Sequence, residues 1–164
     1  MRSFWQINGG RMKKIALIRV DDRLMHGQVV VSWIPYLKVD EVLIIDDEYA
    51  TDEFMTLLIK SAAPDNIKVH ILSCRQALEY LNKDDEGTRI LILLRNIEYI
   101  KKLLESNVKL NKINLGNLGS NPERKKYYNS VYLSDSELSI LREISRQCEI
   151  EIKMLPGDEG KALE

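Results

Sequence analysis

Short apolar runs recur along the chain, each closed by polar residues and followed by a stretch with helical spacing, the alternation of a strand-helix-strand fold. The first run is Lys13 to Val20 (KKIALIRV), rich in branched residues and ended by polar Asp21 to Arg23. From Gly27 to Lys38 the period lengthens, and Val29, Val30, Trp33, Ile34 and Leu37 fall on one broad helical face. Pro35 lies inside that stretch, where it can kink the helix. The alternation then repeats: Glu41 to Asp46 as strand, Thr51 to Ser61 as helix, Ile67 to Ser73 as strand, Arg75 to Asn82 as helix. Thr88 to Leu94 is nearly continuous in apolar residues, the mark of a central strand buried on both faces of a parallel sheet, and a helix follows over Ile97 to Ser106.

Lys112 to Leu115, Ser130 to Leu133 and Glu149 to Met154 complete the expected strands, the last two flanking a helix over Asp135 to Gln147. Ser134 and Glu137 stand at capping-box spacing before that helix. Gly116 to Asn129 has no clear period and reads as loop. The sum is an α/β domain with an open, mainly parallel sheet of about seven strands and helices on both faces. Such a sheet places ligands at the carboxyl ends of its strands.

At 164 residues, with 45% apolar and 30% charged side chains, the chain is of single-domain size and globular composition. Its formal net charge of -1 gives no global field to draw in nucleic acid, so any phosphate site must be local. Cys74 and Cys148 are far apart and read as buried reduced thiols. The apolar runs fall far short of the ~20 residues needed to span a bilayer. Residues 1–11 (MRSFWQINGGR) lack a signal-peptide core and carry a Gly9-Gly10 pair near their end, so the domain is expected over 12–164, with 1–11 an N-terminal extension or a remnant of cloning.

One stretch combines reactive side chains, a glycine and a strand-to-helix junction: Asp21-Asp22-Arg23-Leu24-Met25-His26-Gly27-Gln28. An unperturbed imidazole is largely neutral at cytoplasmic pH and can act as a nucleophile without a separate base. Phosphoryl transfer asks mainly for positioning and positive charge, which the planar donor fork of Arg23 can supply to phosphate oxygens. Gly27 admits a close backbone approach, and the amides of Gly27, Gln28 and Val29 open a helix, where anions bind. Asp21 or Asp22 can accept an imidazole N–H and fix the tautomer. By contrast His70 sits within a strand pattern with no charged cluster and reads as structural. Asp46-Asp47-Glu48 reads as a solvated turn, and Arg124 to Lys126 as an exposed loop charge run.

At these residues the chain resembles a known family. Ile18 to Val29 (IRVDDRLMHGQV) closely resembles the amino-terminal signature of IIB subunits in the mannose and sorbose family of the bacterial phosphoenolpyruvate-dependent sugar phosphotransferase system. Ile44 to Asp52 (IIDDEYATD) and Val131 to Pro156 resemble later parts of the same family, so the likeness runs from Met12 to about Asp158. It implies a phosphotransferase in which His26 takes a phosphoryl group at Nδ1 from a IIA protein and Arg23 stabilises it. Asp21, Asp22, Gly27 and Gln28 match the supporting loop. The group then passes to a sugar held by the IIC and IID membrane subunits, and the domain works in the cytoplasm, held at the inner membrane face by those partners. No cofactor and no metal are implied, and the IIA donor is expected to be a separate chain.

Two other classes compete. A magnesium-dependent receiver domain also carries an acidic pair after its first strand, but the strands ending at Ser73 and at Leu94-Arg95 offer neither its acceptor aspartate nor its lysine. A non-catalytic nucleotide-binding module needs a Gly-rich fingerprint after the first strand, and none is present.

Overall fold

A computed structural model describes residues 12–164, so the expected extension over 1–11 lies outside the described residues. Six parallel strands make up most of one sheet: β1 (Lys14–Asp21), β2 (Glu41–Ile45), β3 (Lys68–Leu72), β4 (Arg89–Leu94), β5 (Lys112–Asn117) and β8 (Glu149–Ile152). The intervening helices are α1 (Ile34–Leu37), α2 (Glu53–Ser61), α3 (Cys74–Leu81), α4 (Glu98–Glu105) and α5 (Asp135–Ile144). A short antiparallel strand, β9 (Lys161–Ala162), closes the edge, giving the order β3-β2-β4-β1-β5-β8-β9.

The two-residue period of a strand feeds two cores. Ile90, Ile92 and Leu94 of β4 join the layer under α3, α4 and α5, while Leu91 and Leu93 join the layer under α1 and α2. All five are fully buried, each worth roughly 1.5–3 kcal/mol relative to exposure. From β1 to β2 the chain crosses β4 in one direction, and from β4 to β5 it passes β1 in the other. The carboxyl ends of β1 and β4 therefore flank the switch point where open α/β sheets bind ligands.

The helix after β1 is not a regular one. Its segment Val29–Trp33 is π-helical, with the Ile34 N–H bonded to the Val29 carbonyl, and α1 continues from Ile34. Pro35 has no N–H, and its ring would clash with the Val31 carbonyl in a regular helix; the wider turn ahead of it relieves both conflicts. Pro35 thus changes the winding of the stretch that leads away from His26.

Two expectations are corrected. The segment over 116–129 is not all loop: Gly116 and Asn117 end β5, and Lys125–Tyr128 forms β6, which pairs antiparallel with β7 (Val131–Leu133) around a tight turn. Asn129 takes a positive φ of 43° there, a conformation its short polar side chain tolerates. Ser130 to Leu133, expected in the main sheet, belongs to this separate ribbon, joined to the chain after β5 by a bridge between Leu118 and Val131. The sheet still has seven strands because β9, too short to show a period, takes the edge. The capping box at Ser134 and Glu137 forms as expected. Among the described residues no helix is long and apolar enough to cross a membrane.

Candidate functional site

Leu17, Arg19 and Asp21 alternate onto one face of β1, and only the first is apolar. Arg19 and Asp21 are both fully buried, Arg19 Nη2 donating to Asp21 Oδ2 at 3.0 Å. Beyond Asp21 the chain turns sharply: the Leu24 N–H bonds the Asp21 carbonyl, and Leu24 takes a positive φ of 53° while its side chain is buried. A bulky residue in that region carries strain, which is common where a loop must be aimed at a function. The turn returns His26 over Asp21, with Nε2 3.0 Å from Asp21 Oδ2.

Three cationic or N–H donors therefore meet one carboxylate. Arg23 gives Nε to Asp21 Oδ1 at 3.1 Å and Nη2 to Oδ2 at 3.2 Å, and its backbone N–H adds another bond to Oδ1. Burial by itself would raise the Asp21 carboxyl, but the hydrogen bonds from His26 and Arg23 and the charge of Arg19 hold it down to about 2. At neutral pH Asp21 is thus an acceptor only, so the His26 nitrogen facing it is the donor, and in the neutral form of the ring the lone pair falls to Nδ1. Of the two aspartates, Asp21 orients the imidazole.

Asp22 does different work. Its Oδ1 accepts from Asn117 Nδ2 at 2.6 Å and its Oδ2 from the Gly119 N–H at 2.7 Å, tying the β1 loop to the chain leaving β5. Gln28 Oε1 accepts from Arg23 Nη2 at 3.1 Å and steadies the half-exposed guanidinium. At Gly27 a Cβ would meet nothing within 4 Å and the backbone is not left-handed, so the glycine leaves open space beside the histidine. The first helical bond runs from the Val30 N–H to the His26 carbonyl, and the amides of Gly27, Gln28 and Val29 precede it.

Sequence reading passed over Arg19, which lies inside an apolar run. Its signal was the shared face: a cation two residues before a carboxylate on a buried strand points the same way. It also passed over the residues that hold Arg19, namely Asn114, Gly116 and Trp33. The acidic turn needs correction as well. Asp46 is buried and clamped by Arg95, whereas Asp47 and Glu48 are exposed as expected, although Asp47 Oδ1 accepts the Cys74 N–H at 2.8 Å at the start of α3 and Glu48 also pairs with Arg95. These residues, with Asp22, Arg95 and Glu137, line a cleft of about 630 Å³ at the switch point. Arg124 is likewise no free loop charge, since its fork grips Glu137 and its Nη1 donates to the Gly119 carbonyl at 3.0 Å. Lys125 and Lys126 are exposed as expected. Among the described residues no cluster of three or more His, Cys, Asp or Glu could hold a metal ion.

A partly exposed imidazole with a free Nδ1, a fixed Nε2–H and a guanidinium fork beside it, set on the carboxyl edge of a parallel sheet, has the equipment of an α/β phosphoryl carrier. Comparison of the sequence with known families agrees: the chain belongs to the PTS system sorbose subfamily IIB components, whose family model matches residues 15–164. It is a phosphotransferase component whose family role is phosphoryl relay in sugar uptake. It is 30% identical over 149 residues to the PTS system fructose-specific EIIB component of Bacillus subtilis (strain 168), covering 90% of this chain and 91% of that protein. The crystal structure of manxB from Thermoanaerobacter tengcongensis superposes with a TM-score of 0.86 at 32% identity, over 93% of each chain. The PTS system mannose-specific EIIAB component of Escherichia coli (strain K12) is 27% identical over 146 residues, 88% of this chain and 45% of that longer protein.

Proposed function

We propose that His26 is the phosphoryl-carrying residue of this IIB component, that its Nδ1 forms the bond to phosphorus, and that Arg23 stabilises the transferred group. The observation that carries this reading is the 3.0 Å contact of His26 Nε2 with buried, ionised Asp21. The Nδ1 lone pair attacks the phosphorus of the donor's phosphohistidine, and the old P–N bond breaks with its electron pair returning to the donor imidazole. Because Nε2 keeps its proton, the His26 ring becomes cationic as the new bond forms, and the Asp21 carboxylate lies against that charge. Arg23 exchanges part of its contact with Asp21 and Gln28 for phosphoryl oxygens, Gly27 leaves room for them, and Asp22 keeps the loop in place.

The donor is a IIA protein, a partnership whose covalent form is named in the EIIAB relative. The acceptor is a sugar brought to the membrane by IIC and IID subunits, against which the domain docks from the cytoplasm. Residues 12–164 suffice for both steps. The test is incubation with the general phosphocarrier proteins, phosphoenolpyruvate and a matching IIA. One phosphoryl group is expected, labile to acid and stable to alkali as a phosphoramidate is, absent in His26→Ala and retained in a chain trimmed of residues 1–11. An acid-stable phosphate, or loading of His26→Ala at the wild-type level, would overturn the assignment.

A further inference from the structure

Two arginines share Asp21, and they are not equivalent. Arg23 is half-exposed and sits on a surface loop, whereas Arg19 has no exposed side-chain surface at all. Arg19 Nη1 donates to Asn114 Oδ1 and to the Lys153 carbonyl at 3.1 Å, and Nη2 donates to Asp21 Oδ2 at 3.0 Å. Its guanidinium carbon lies 5.0 Å from the centre of the Trp33 ring, and Trp33 is itself fixed by Nε1 donating to the Met154 carbonyl at 2.9 Å. On the other side is Gly116, where a Cβ would fall 2.1 Å from that carbon. The slot holds both terminal nitrogens of the guanidinium and leaves the buried Nε without a hydrogen-bond partner, and any residue larger than glycine at position 116 would fill it.

From this we infer that Arg19 is a positioning residue for phosphoryl transfer: an immobile counter-cation that keeps Asp21 charged and aimed at His26 Nε2 while Arg23 leaves Asp21 to follow the phosphoryl group. The inference rests on the reading of His26 and Arg23 proposed above, and it divides labour between the two cations. If Arg23 alone balanced Asp21, its departure would leave the buried carboxylate with no guanidinium on it, facing only the His26 ring, which becomes cationic no earlier than the new bond forms. With Arg19 anchored to β5 and to the chain after β8, Asp21 keeps a partner in both states. The orientation of the imidazole then does not depend on where Arg23 points. A flexible lysine could supply charge at position 19 but could not span Asn114, Lys153 and Asp21 at once.

The test uses the full chain as wild type, Arg19→Gln and Arg19→Lys. First, the Asp21 carboxyl is titrated by carbon NMR in the unphosphorylated protein. Arg19→Gln is expected to raise its midpoint by about one pH unit or more, the size of effect a neighbouring arginine has on an aspartate, and Arg19→Lys to restore most of it. Phosphoryl transfer from IIA should fall on the order of 10-fold or more in Arg19→Gln, with partial recovery in Arg19→Lys, in line with losses from a misplaced electrostatic group. Second, the arginine side-chain resonances of the wild type are followed before and after loading. Those of Arg23 should move and those of Arg19 should stay. A folded Arg19→Gln protein with an unshifted Asp21 midpoint reduces Arg19 to a structural role, whatever its transfer rate. Should Arg19→Gln not fold, the wild-type resonances decide, and movement of Arg19 with Arg23 still would overturn the inference. Because the Asp21 titration needs no phosphate, its outcome is separate from failure of His26 to accept one.

Discussion

The molecule holds two histidines in outwardly similar settings. His26 has its Nε2 3.0 Å from a carboxylate oxygen of Asp21, His70 has its Nε2 3.1 Å from one of Glu41, and each side chain is 17% exposed. What separates them is what surrounds the carboxylate and where the ring stands in the sheet. Asp21 lies at the carboxyl end of β1 and is fully buried between two guanidinium groups, so the histidine above it faces the ligand-binding edge with a cationic donor beside it. Glu41 opens β2 at the opposite edge, takes a hydrogen bond from the Tyr80 hydroxyl, and among the described residues has no arginine on it; the Tyr80 ring is tilted against His70 at 4.6 Å between centroids. A histidine-carboxylate pair is therefore not a site by itself. The arginines and the edge are what single out His26, and not His70, for the proposed role of phosphoryl carrier.

The comparison breaks most sharply on loading. His26→Ala should reduce phosphoryl incorporation to background, while His70→Ala loads to the wild-type extent, measured by mass under mild alkaline conditions. A smaller effect comes from the exposed cation. Arg23→Ala should slow single-turnover transfer from IIA on the order of 10²-fold, with Arg23→Lys recovering only part of it, since a point charge cannot replace a donor fork. If lysine matches the wild type, Arg23 supplies general charge and no geometry.

Stability should separate the two carboxylates. Asp21→Asn strips buried Arg19 of its counter-charge and is expected to cost about 3–5 kcal/mol in urea unfolding, whereas Glu41→Gln, at a partly exposed site without a buried cation, should cost only about 1 kcal/mol. Equal losses would mean that Arg19 does not depend on Asp21.

The smallest effect is one of pH. Burial pulls the His70 imidazole below its ordinary value, with the charges of Lys68 and Lys60 adding to it and Glu41 opposing. The folded protein thus prefers neutral His70. Its contribution is fully present above about pH 6.5 and is lost as the pH falls below that value, where the unfolded chain binds the extra proton. Asp21, held at about 2, acts in a separate window: its contribution is present above about pH 4 and disappears as the pH falls toward 2. His70→Gln should remove the first slope from a plot of urea midpoint against pH and leave the second.

Much of this architecture was legible from side-chain pattern. The run Ile90 to Leu94 could only be a strand covered on both faces, and the sequence from Asp21 to Gln28 displayed histidine, arginine and glycine at one strand-to-helix junction. Of the β6–β7 ribbon only the strand at β7 was legible; β6 was not, because Lys125 and Lys126 are exposed, Tyr127 and Tyr128 only partly buried, and the segment carries no alternation toward a core. Nor was β9, whose two residues are strand only because the edge of β8 accepts them. Within the site, the choice between Asp21 and Asp22 depended on side-chain direction: the two alternate across the strand, one facing His26 and the other reaching Asn117 and Gly119. Arg19 stayed hidden for a related reason, since its partners Asn114 and Lys153 are far away in sequence and meet it only through the pairing of β1, β5 and β8.

The central claim is tested most directly by long-range nitrogen-phosphorus and nitrogen-proton NMR of the wild-type chain after loading by IIA. The account predicts a single phosphohistidine at residue 26, with phosphorus coupled to Nδ1 and the proton retained on Nε2 against Asp21. Phosphorus on Nε2 of His26, on His70, or on a carboxylate would contradict it.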